Sequence, residues 1–346
     1  MLPKLKLGIV GVGMVGQTHV RAALVIPEFE LVAVADSDPA AFGLAAEYSI
    51  RAYRSHTEML EDTRLDAVVV ATPNRLHVPI GVDCLRAGAH LLVEKPIADS
   101  VESAQVLNAE ARKADRVLMV GHHRRHYRRA AEARRIVQGG GIGDLVGVTV
   151  MWATLKPDDY FETSWRTQSG AGPVLINLIH EIDMLRFICG EITEVRANSS
   201  NSRRGHEVED TAAAILSFDN GAIATVLATD SAATPWNIEM GIGENLLFPA
   251  TWQDCYFFMG SRGSLSFPNM THWSYRDSSG SGWKSQLEGK AISVAEHNPF
   301  LAQLNQFRAA IAGEEAPLIS GVDGTRTLAA TLAVLEASKT GKAVKV

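Results

Sequence analysis

The chain has 346 residues, 46% of them hydrophobic and 21% charged, and a formal net charge of −6. That length exceeds what one hydrophobic core usually serves, so two domains are expected, and the ordinary composition excludes a disordered chain. Net acidity argues against a nucleic-acid partner, which would need a basic surface to displace counterions.

No run of about 18 apolar residues is present, so no membrane partner is expected. Lys4 and Lys6 lead straight into a short strand without the apolar stretch of a signal peptide. Cys84, Cys189 and Cys255 lie far apart and form no C-x-x-C or zinc spacing. Buried reduced thiols in a cytoplasmic protein, and no metal, are the expectation.

In chain order, the first element is the strand within LKLGIVGVGMVG, residues 5–16, which runs into a helix over about 14–25. Gly11, Gly13 and Gly16 fall at G-x-G-x-x-G spacing. One glycine permits the turn, one lets backbone approach a pyrophosphate, and one lets the helix pack on the strand. With the flanking Met14 and Val15 they would seat an anion on the helix N-terminus. The apolar run Leu31–Ala35 ends in Asp36, about twenty residues on, the position from which a carboxylate reaches the ribose of NAD. No Arg or Lys follows at once to hold a 2′-phosphate, which favours NAD over NADP. A turn or helix-capping role for Asp36 ahead of Pro39 is the alternative.

A helix is expected near 39–47. Uniformly apolar strands follow at 66–71, 90–93 and 117–120, with helices at 76–87 and 100–114 between them, the pattern of a parallel sheet buried on both faces. Ligands of such a sheet lie beyond the strand C-termini. Those positions hold Thr72, Pro73 and Asn74 with His77, then Glu94 and Lys95, then His122, His123 and Arg124.

From about Val146 alternating strand patterns dominate, at 146–154, 194–198, 211–218, 222–229, 255–259 and 264–267, interrupted by one helix near 173–189. Asp219-Asn220-Gly221 is a hairpin signal. Residues 277–282 read as a mobile loop, and helices at 299–312 and 322–339 close the chain. The expected architecture is α/β: an N-terminal doubly wound Rossmann domain at 1–125, then an α+β domain at 126–346 with an open-faced, largely antiparallel sheet. The C-terminal helices are free to pack back on the first domain.

Three groups of residues are suited to chemistry. Lys95, just beyond an apolar strand, offers an ammonium to a hydroxyl turning into an alkoxide, with Glu94 holding it; a surface lysine paired to Glu94 is the plainer account. His180 lies in a helix where Asn177, His180 and Asp183 recur every three residues and so share a side. It is suited to taking a proton near neutral pH, or makes an ordinary hydrogen bond. Trp165 and Arg166, before Ser169-Gly170-Ala171-Gly172, offer an aromatic wall and a cation for substrate, or simply pack. The arginines at 124, 125, 128 and 129 are expected on a solvated helix face, with His123 or Arg124 turned to the cleft.

The glycine motif, Asp36, Ala71-Thr72-Pro73-Asn74 with His77, Glu94-Lys95-Pro96, His180-Glu181-Ile182-Asp183 and the closing Asn298-Pro299-Phe300, Gln303, Phe307 and Gly321-x-x-Gly324 occur in this order. So ordered, they resemble the Gfo/Idh/MocA family of NAD(P)-dependent oxidoreductases, relatives of glucose-fructose oxidoreductase and inositol dehydrogenase, over essentially the whole chain. The resemblance implies an NAD-dependent dehydrogenase with Lys95 and His180 as catalytic residues, oligomeric through its second sheet as a homodimer or homotetramer. Many members carry Asp four residues before the histidine, where this chain has Ile176; Asn177 is the nearest polar replacement. The expected reaction is oxidation of a secondary hydroxyl on a sugar, inositol or related polyol. An alicyclic or aromatic-derived cis-diol is a second substrate class, for which Trp152, Tyr160, Phe161 and Trp165 offer flat apolar surface. A non-catalytic NAD-binding sensor is a third reading.

Overall fold

The computed structural model describes residues 4–168, 170–244, 248–276 and 282–346. The elements in chain order are β1 (Leu5–Val10), α1 (Met14–Val25), β2 (Phe29–Ala35), α2 (Ala40–Glu47), β3 (Arg51–Tyr53), α3 (His56–Asp62), β4 (Ala67–Val70), α4 (His77–Arg86), β5 (His90–Glu94), α5 (Val101–Ala114) and β6 (Leu118–Gly121). They continue with α6 (Arg128–Gln138), β7 (Leu145–Ala153), α7 (Ile179–Cys189), β8 (Ile192–Ser200), β9 (Thr211–Phe218), β10 (Ile223–Thr229), α8 (Ile238–Ile242), β11 (Tyr256–Gly260), β12 (Gly263–Phe267), β13 (Thr271–Tyr275), β14 (Leu287–Ala291), α9 (Pro299–Ile311), α10 (Gly321–Thr340) and β15 (Val344–Lys345). The expected loop at 277–282 falls, for residues 277–281, outside the described residues.

The chain divides into two compact units, Met1–His126 with His297–Leu328, and Tyr127–Glu296 with Ala329–Val346. The first holds a six-stranded sheet in the order β3-β2-β1-β4-β5-β6, all neighbours parallel. This is the doubly wound dinucleotide order, whose direction reverses between β1 and β4. Every residue of β4 is buried, as a strand covered by helices on both faces must be. Residues 297–328 cluster with this unit rather than with 127–296 because Leu304 and Phe307 of α9 join Leu7, Ile9, Val20 and Ala23 in one buried core.

The second unit holds a nine-stranded sheet in the order β14-β13-β12-β11-β7-β10-β9-β8-β15. All pairs are antiparallel except β7 and β10, which run parallel from Gly147 against Ile223 to Ala153 against Thr229. The Asp219-Asn220-Gly221 turn joins β9 to β10 as a hairpin, with Gly221 at φ 86°. α7 is buried along its whole length. The strands alternate buried and exposed residues, so one face of β9 and β10 carries exposed Ile215, Ile223 and Leu227.

The arginine cluster departs from expectation. Residues His123–His126 form a 3₁₀ turn and α6 begins only at Arg128, so no continuous helix face joins the four arginines. Arg124 and Arg125 are buried, and Arg125 is ion-paired at 2.6 Å to Asp323 of α10. A buried guanidinium needs such a partner to offset its lost hydration. Among the described residues no helix is long and apolar enough to cross a membrane, and the three cysteines are buried and form no disulfide, with burial pushing the Cys84 thiol up to about 12.

Candidate active site

In the first unit the glycines of the β1–α1 turn differ in what surrounds them. Gly11 has φ 88°, a conformation that disfavours a side chain, and a Cβ there would press on the Ala71 carbonyl. A Cβ on Gly16 would collide with the Gly11 carbonyl, so this glycine sets how closely α1 packs on β1. Gly13 has nothing within 4 Å of its Cβ position and no side chain caps the helix it precedes. The turn therefore opens backbone N–H groups and the positive end of α1 onto free space.

That space is a cleft of about 770 Å³ at the carboxyl ends of β1, β2 and β4. Gly11, Gly13, Met14, Val15, Asp36, Thr72 and Pro73 line it, as the sequence led us to expect; Gly16, Asn74, His77, Glu94 and Lys95 do not. Gln17, Arg54 and His56 line it unforeseen, the last two arriving through β3 and α3, elements too short to leave a pattern. Asp36 accepts the Val12 N–H at 2.7 Å on Oδ2 and the Asp38 N–H at 2.9 Å on Oδ1. The turn half of the alternative raised for Asp36 is met by that second bond, to the N–H two residues on, whereas α2 starts behind Pro39 with the Ala40 N–H donating at 2.9 Å to Asp38 rather than to Asp36. The Thr72 hydroxyl is buried without a hydrogen-bond partner among the described residues. An uncapped helix start, an open glycine, a strand-end carboxylate and an unsatisfied hydroxyl around one cleft fit a dinucleotide, with the pyrophosphate on α1 and the ribose on Asp36.

Lys95 follows β5 and is half-buried between buried neighbours Glu94 and Pro96. Glu94 engages the backbone beside the lysine. Its Oε2 accepts the Lys95 backbone N–H at 3.2 Å, and its Oε1 lies 2.8 Å from Nε2 of the fully buried His19 on α1. Burial pushes the Glu94 carboxyl up, but the His19 hydrogen bond and the charges of His19, His123 and Lys95 outweigh it and hold the group below the usual carboxylate range. His77, expected to touch cofactor, is 1% exposed and faces loop backbone: Nδ1 is 2.7 Å from the Pro96 carbonyl and Nε2 2.8 Å from that of Thr72. Burial draws its pKa down against the pull of both carbonyls. The ring of His123 stacks on Phe300 at 4.6 Å.

In the second unit the expected helix at 173–189 opens as a π turn, Val174–Leu178, before α7. Such turns are rare and concentrate at functional sites. The wider turn carries Asn177, half-buried; His180 and Asp183 follow on α7, both buried. Asn177 Oδ1 accepts from Lys156 Nζ at 3.0 Å. The Lys156 ammonium is paired to Asp230 at 3.2 Å, and Asp230 also pairs Arg204 at 3.2 Å. Burial lowers the Lys156 pKa against the pull of Asp230. The Glu209 carboxylate accepts the Val174 N–H at 2.9 Å at the mouth of the π turn, and burial raises its pKa. Lys156, Arg204, Glu209 and Asp230 were invisible in the sequence, because each is one charge at the end of a strand or loop and only the sheet brings them together.

Tyr160 and Arg166 form a unit, with the guanidinium 4.1 Å from the ring centroid and its Nη1 donating to the Tyr160 carbonyl at 2.8 Å. Trp165 is 51% exposed. Trp152 does not belong to an exposed aromatic surface: it is buried, and its indole N–H donates to Glu239 at 3.1 Å. Ser169, in the stretch read as flexible, lies outside the described residues.

Comparison with known proteins bears on the family and the fold. Residues 5–122 match the model of the GFO_IDH_MocA oxidoreductase family with NAD-binding Rossmann fold, and residues 130–266 match the GFO/IDH/MocA C-terminal domain, together well over half the chain. A 1,5-anhydro-D-fructose reductase of Ensifer adhaerens is 28% identical over 98% of this chain and 98% of its own. A myo-inositol 2-dehydrogenase of Thermotoga maritima is 24% identical over 99% of this chain and 98% of its own. The crystal structure of an oxidoreductase from Agrobacterium radiobacter, in complex with NAD+, L-tartaric acid and magnesium, shares the fold with a TM-score of 0.82 at 18% identity, covering 99% of this chain and 98% of that one.

Proposed function

This chain belongs to the Gfo/Idh/MocA family of NAD-binding oxidoreductases, and from that premise we propose that it oxidises a secondary hydroxyl of a sugar, inositol or related polyol to a ketone. His180 takes the hydroxyl proton, Lys95 stabilises the developing oxyanion, and Asn177 orients the substrate. General-base help of this kind is typically worth about 10²- to 10⁴-fold, and a fixed cation at the oxyanion adds a term of similar size. When bound, NAD supplies the hydride acceptor.

The observation that carries the substrate class is the surroundings of Asn177. Lys156, Asp230 and Arg204 form a chain of paired charges there, a setting of donors and acceptors that suits several hydroxyls, with the Tyr160 and Phe161 rings beneath the two cations. The burial of Trp152 removes one ring from the aromatic surface on which the cis-diol reading rests. The relatives named for anhydrofructose and myo-inositol support the polyol reading. NADH formation against sugars, inositols and cis-dihydrodiols is the test: turnover confined to dihydrodiols replaces the polyol reading, and tight NAD binding without turnover of any alcohol replaces it with a sensor.

We further propose that the exposed sheet face is a subunit contact in a homodimer or homotetramer. Ile215 lies opposite Thr225, and Leu227 opposite Ala213 and Met151, across three adjacent strands, an apolar patch of the kind that marks an association surface. A cytoplasmic location suits three buried cysteines that form no disulfide.

A further inference from the structure

Lys95 is bracketed in the chain by two residues, each held by a buried imidazole from a different helix. We propose that His19 and His77 are positioning residues for Lys95, fixing the peptide on either side of it and tying its presentation to the two loops that receive the dinucleotide. The proposal rests on the reading of Lys95 as the oxyanion stabiliser.

On the N-terminal side, His19 sits one helical turn beyond Gly16 on α1, the helix whose start faces the cleft. Its Nε2 meets Glu94 Oε1 at 2.8 Å, and the other carboxylate oxygen accepts the N–H of Lys95 itself. The Glu94 carboxylate occupies room that only a glycine at 121 leaves, since a Cβ there would lie 2.7 Å from Oε1. The edge of His19 rests on Phe300 of α9 with ring centroids 5.4 Å apart, so the imidazole is held on two sides. On the C-terminal side, His77 opens α4 and spans 2.7 Å to the Pro96 carbonyl and 2.8 Å to the Thr72 carbonyl. Thr72 lines the cleft. A shift of either cofactor loop is therefore transmitted through one imidazole to the peptide next to Lys95.

Burying these polar groups costs hydration that apolar side chains of similar size would not lose. What the imidazoles and carboxylate provide instead is direction, because hydrogen bonds fix angles where apolar packing tolerates rotation. Misplacing a catalytic group by about 1 Å can cost about 100-fold in rate.

The test uses the intact protein with His19→Gln, His77→Gln, His77→Ala and Glu94→Gln. Each variant is checked by circular dichroism and thermal unfolding. Two readouts follow: kcat and KM for the polyol, and the rate at which pyridoxal phosphate with borohydride labels Lys95, normalised to exposed Lys290 on β14 in the same sample and located by peptide mass spectrometry. Folded variants are expected to lose about 10- to 100-fold in kcat with KM changed only a few-fold, and to shift the Lys95 to Lys290 labelling ratio several-fold. His77→Gln, which keeps a donor, should retain more activity than His77→Ala. Should the alanine variant fail to fold, the three amide variants carry the test. Folded variants with unchanged labelling ratio and kcat overturn the proposal. An altered ratio with unchanged kcat upholds the anchoring and overturns the catalytic reading of Lys95.

Discussion

Replacing Asp36 should change which dinucleotide the protein prefers. Its carboxylate accepts N–H groups from Val12 in the glycine turn and from Asp38, which leaves its remaining lone pairs to the ribose hydroxyls of a dinucleotide lying in the cleft. A hydrogen bond to a charged acceptor contributes about 1.5 to 3 kcal/mol. Removing one such bond to NAD by Asp36→Ala should therefore raise its Kd about 10- to 150-fold, at 1.4 kcal/mol for each factor of ten. NADP gains no such bond in the parent protein, and its 2′-phosphate is repelled by the carboxylate. In the variant that repulsion is gone and Arg54, which lines the same cleft, is left as the nearby cation. The Kd ratio of NADP to NAD should fall by at least tenfold. Asp36→Asn separates the causes, because it keeps an acceptor for the Val12 N–H while removing the charge. Calorimetric or fluorescence titration of both dinucleotides reads the ratio, with the melting temperature as a control for folding. Equal weakening of NAD and NADP by Asp36→Ala would refute the assignment of the ribose to this residue.

Lys95→Ala should lower kcat by about 10²- to 10³-fold while the Kd for NAD stays nearly constant; turnover within a few-fold of the parent removes Lys95 from the mechanism. Glu94 makes an acid-side prediction. Its folded pKa lies below its unfolded value of about 4.3, so its contribution to stability is complete above that unfolded value and is lost as pH falls through the lower folded one. Urea midpoints should therefore drop more steeply between pH 5 and pH 3 for the parent than for Glu94→Gln, and parallel slopes would contradict it. Ile215→Glu combined with Leu227→Glu places two carboxylates on the exposed sheet face and should shift the sedimentation coefficient to that of a monomer; an unchanged coefficient sinks the assignment of that face as a subunit contact.

The first unit was legible because its signals are local. The glycines at 11, 13 and 16 must sit in a tight turn whatever packs around it, and buried parallel strands such as 67–70 leave uninterrupted apolar runs. Strand and helix limits there shift by a residue or two. What stayed hidden depends on distant partners. Arg125 reads as a surface residue until Asp323, far along the chain, pairs with it. His77 reads as a ligand to cofactor until the loops on both sides of it close onto its ring. β3 and α3 were missed for brevity, yet they bring Arg54 and His56 to the cleft. The parallel pairing of β7 and β10 could not be read from alternation, which is the same for either strand direction.

The placement of α9 has a consequence for how the protein is made. Leu304 and Phe307 complete the cluster around Leu7, Ile9 and Val20, so a ribosome must deliver more than 300 residues before the first unit can close. Until then a nascent chain carries the apolar side of α1 uncovered, and polypeptides of this kind are prone to aggregate while that surface waits. A fragment ending at His126 would hold every strand of the six-stranded sheet and lack Leu304 and Phe307, so the stretch expressed has to reach through α9 to supply that core.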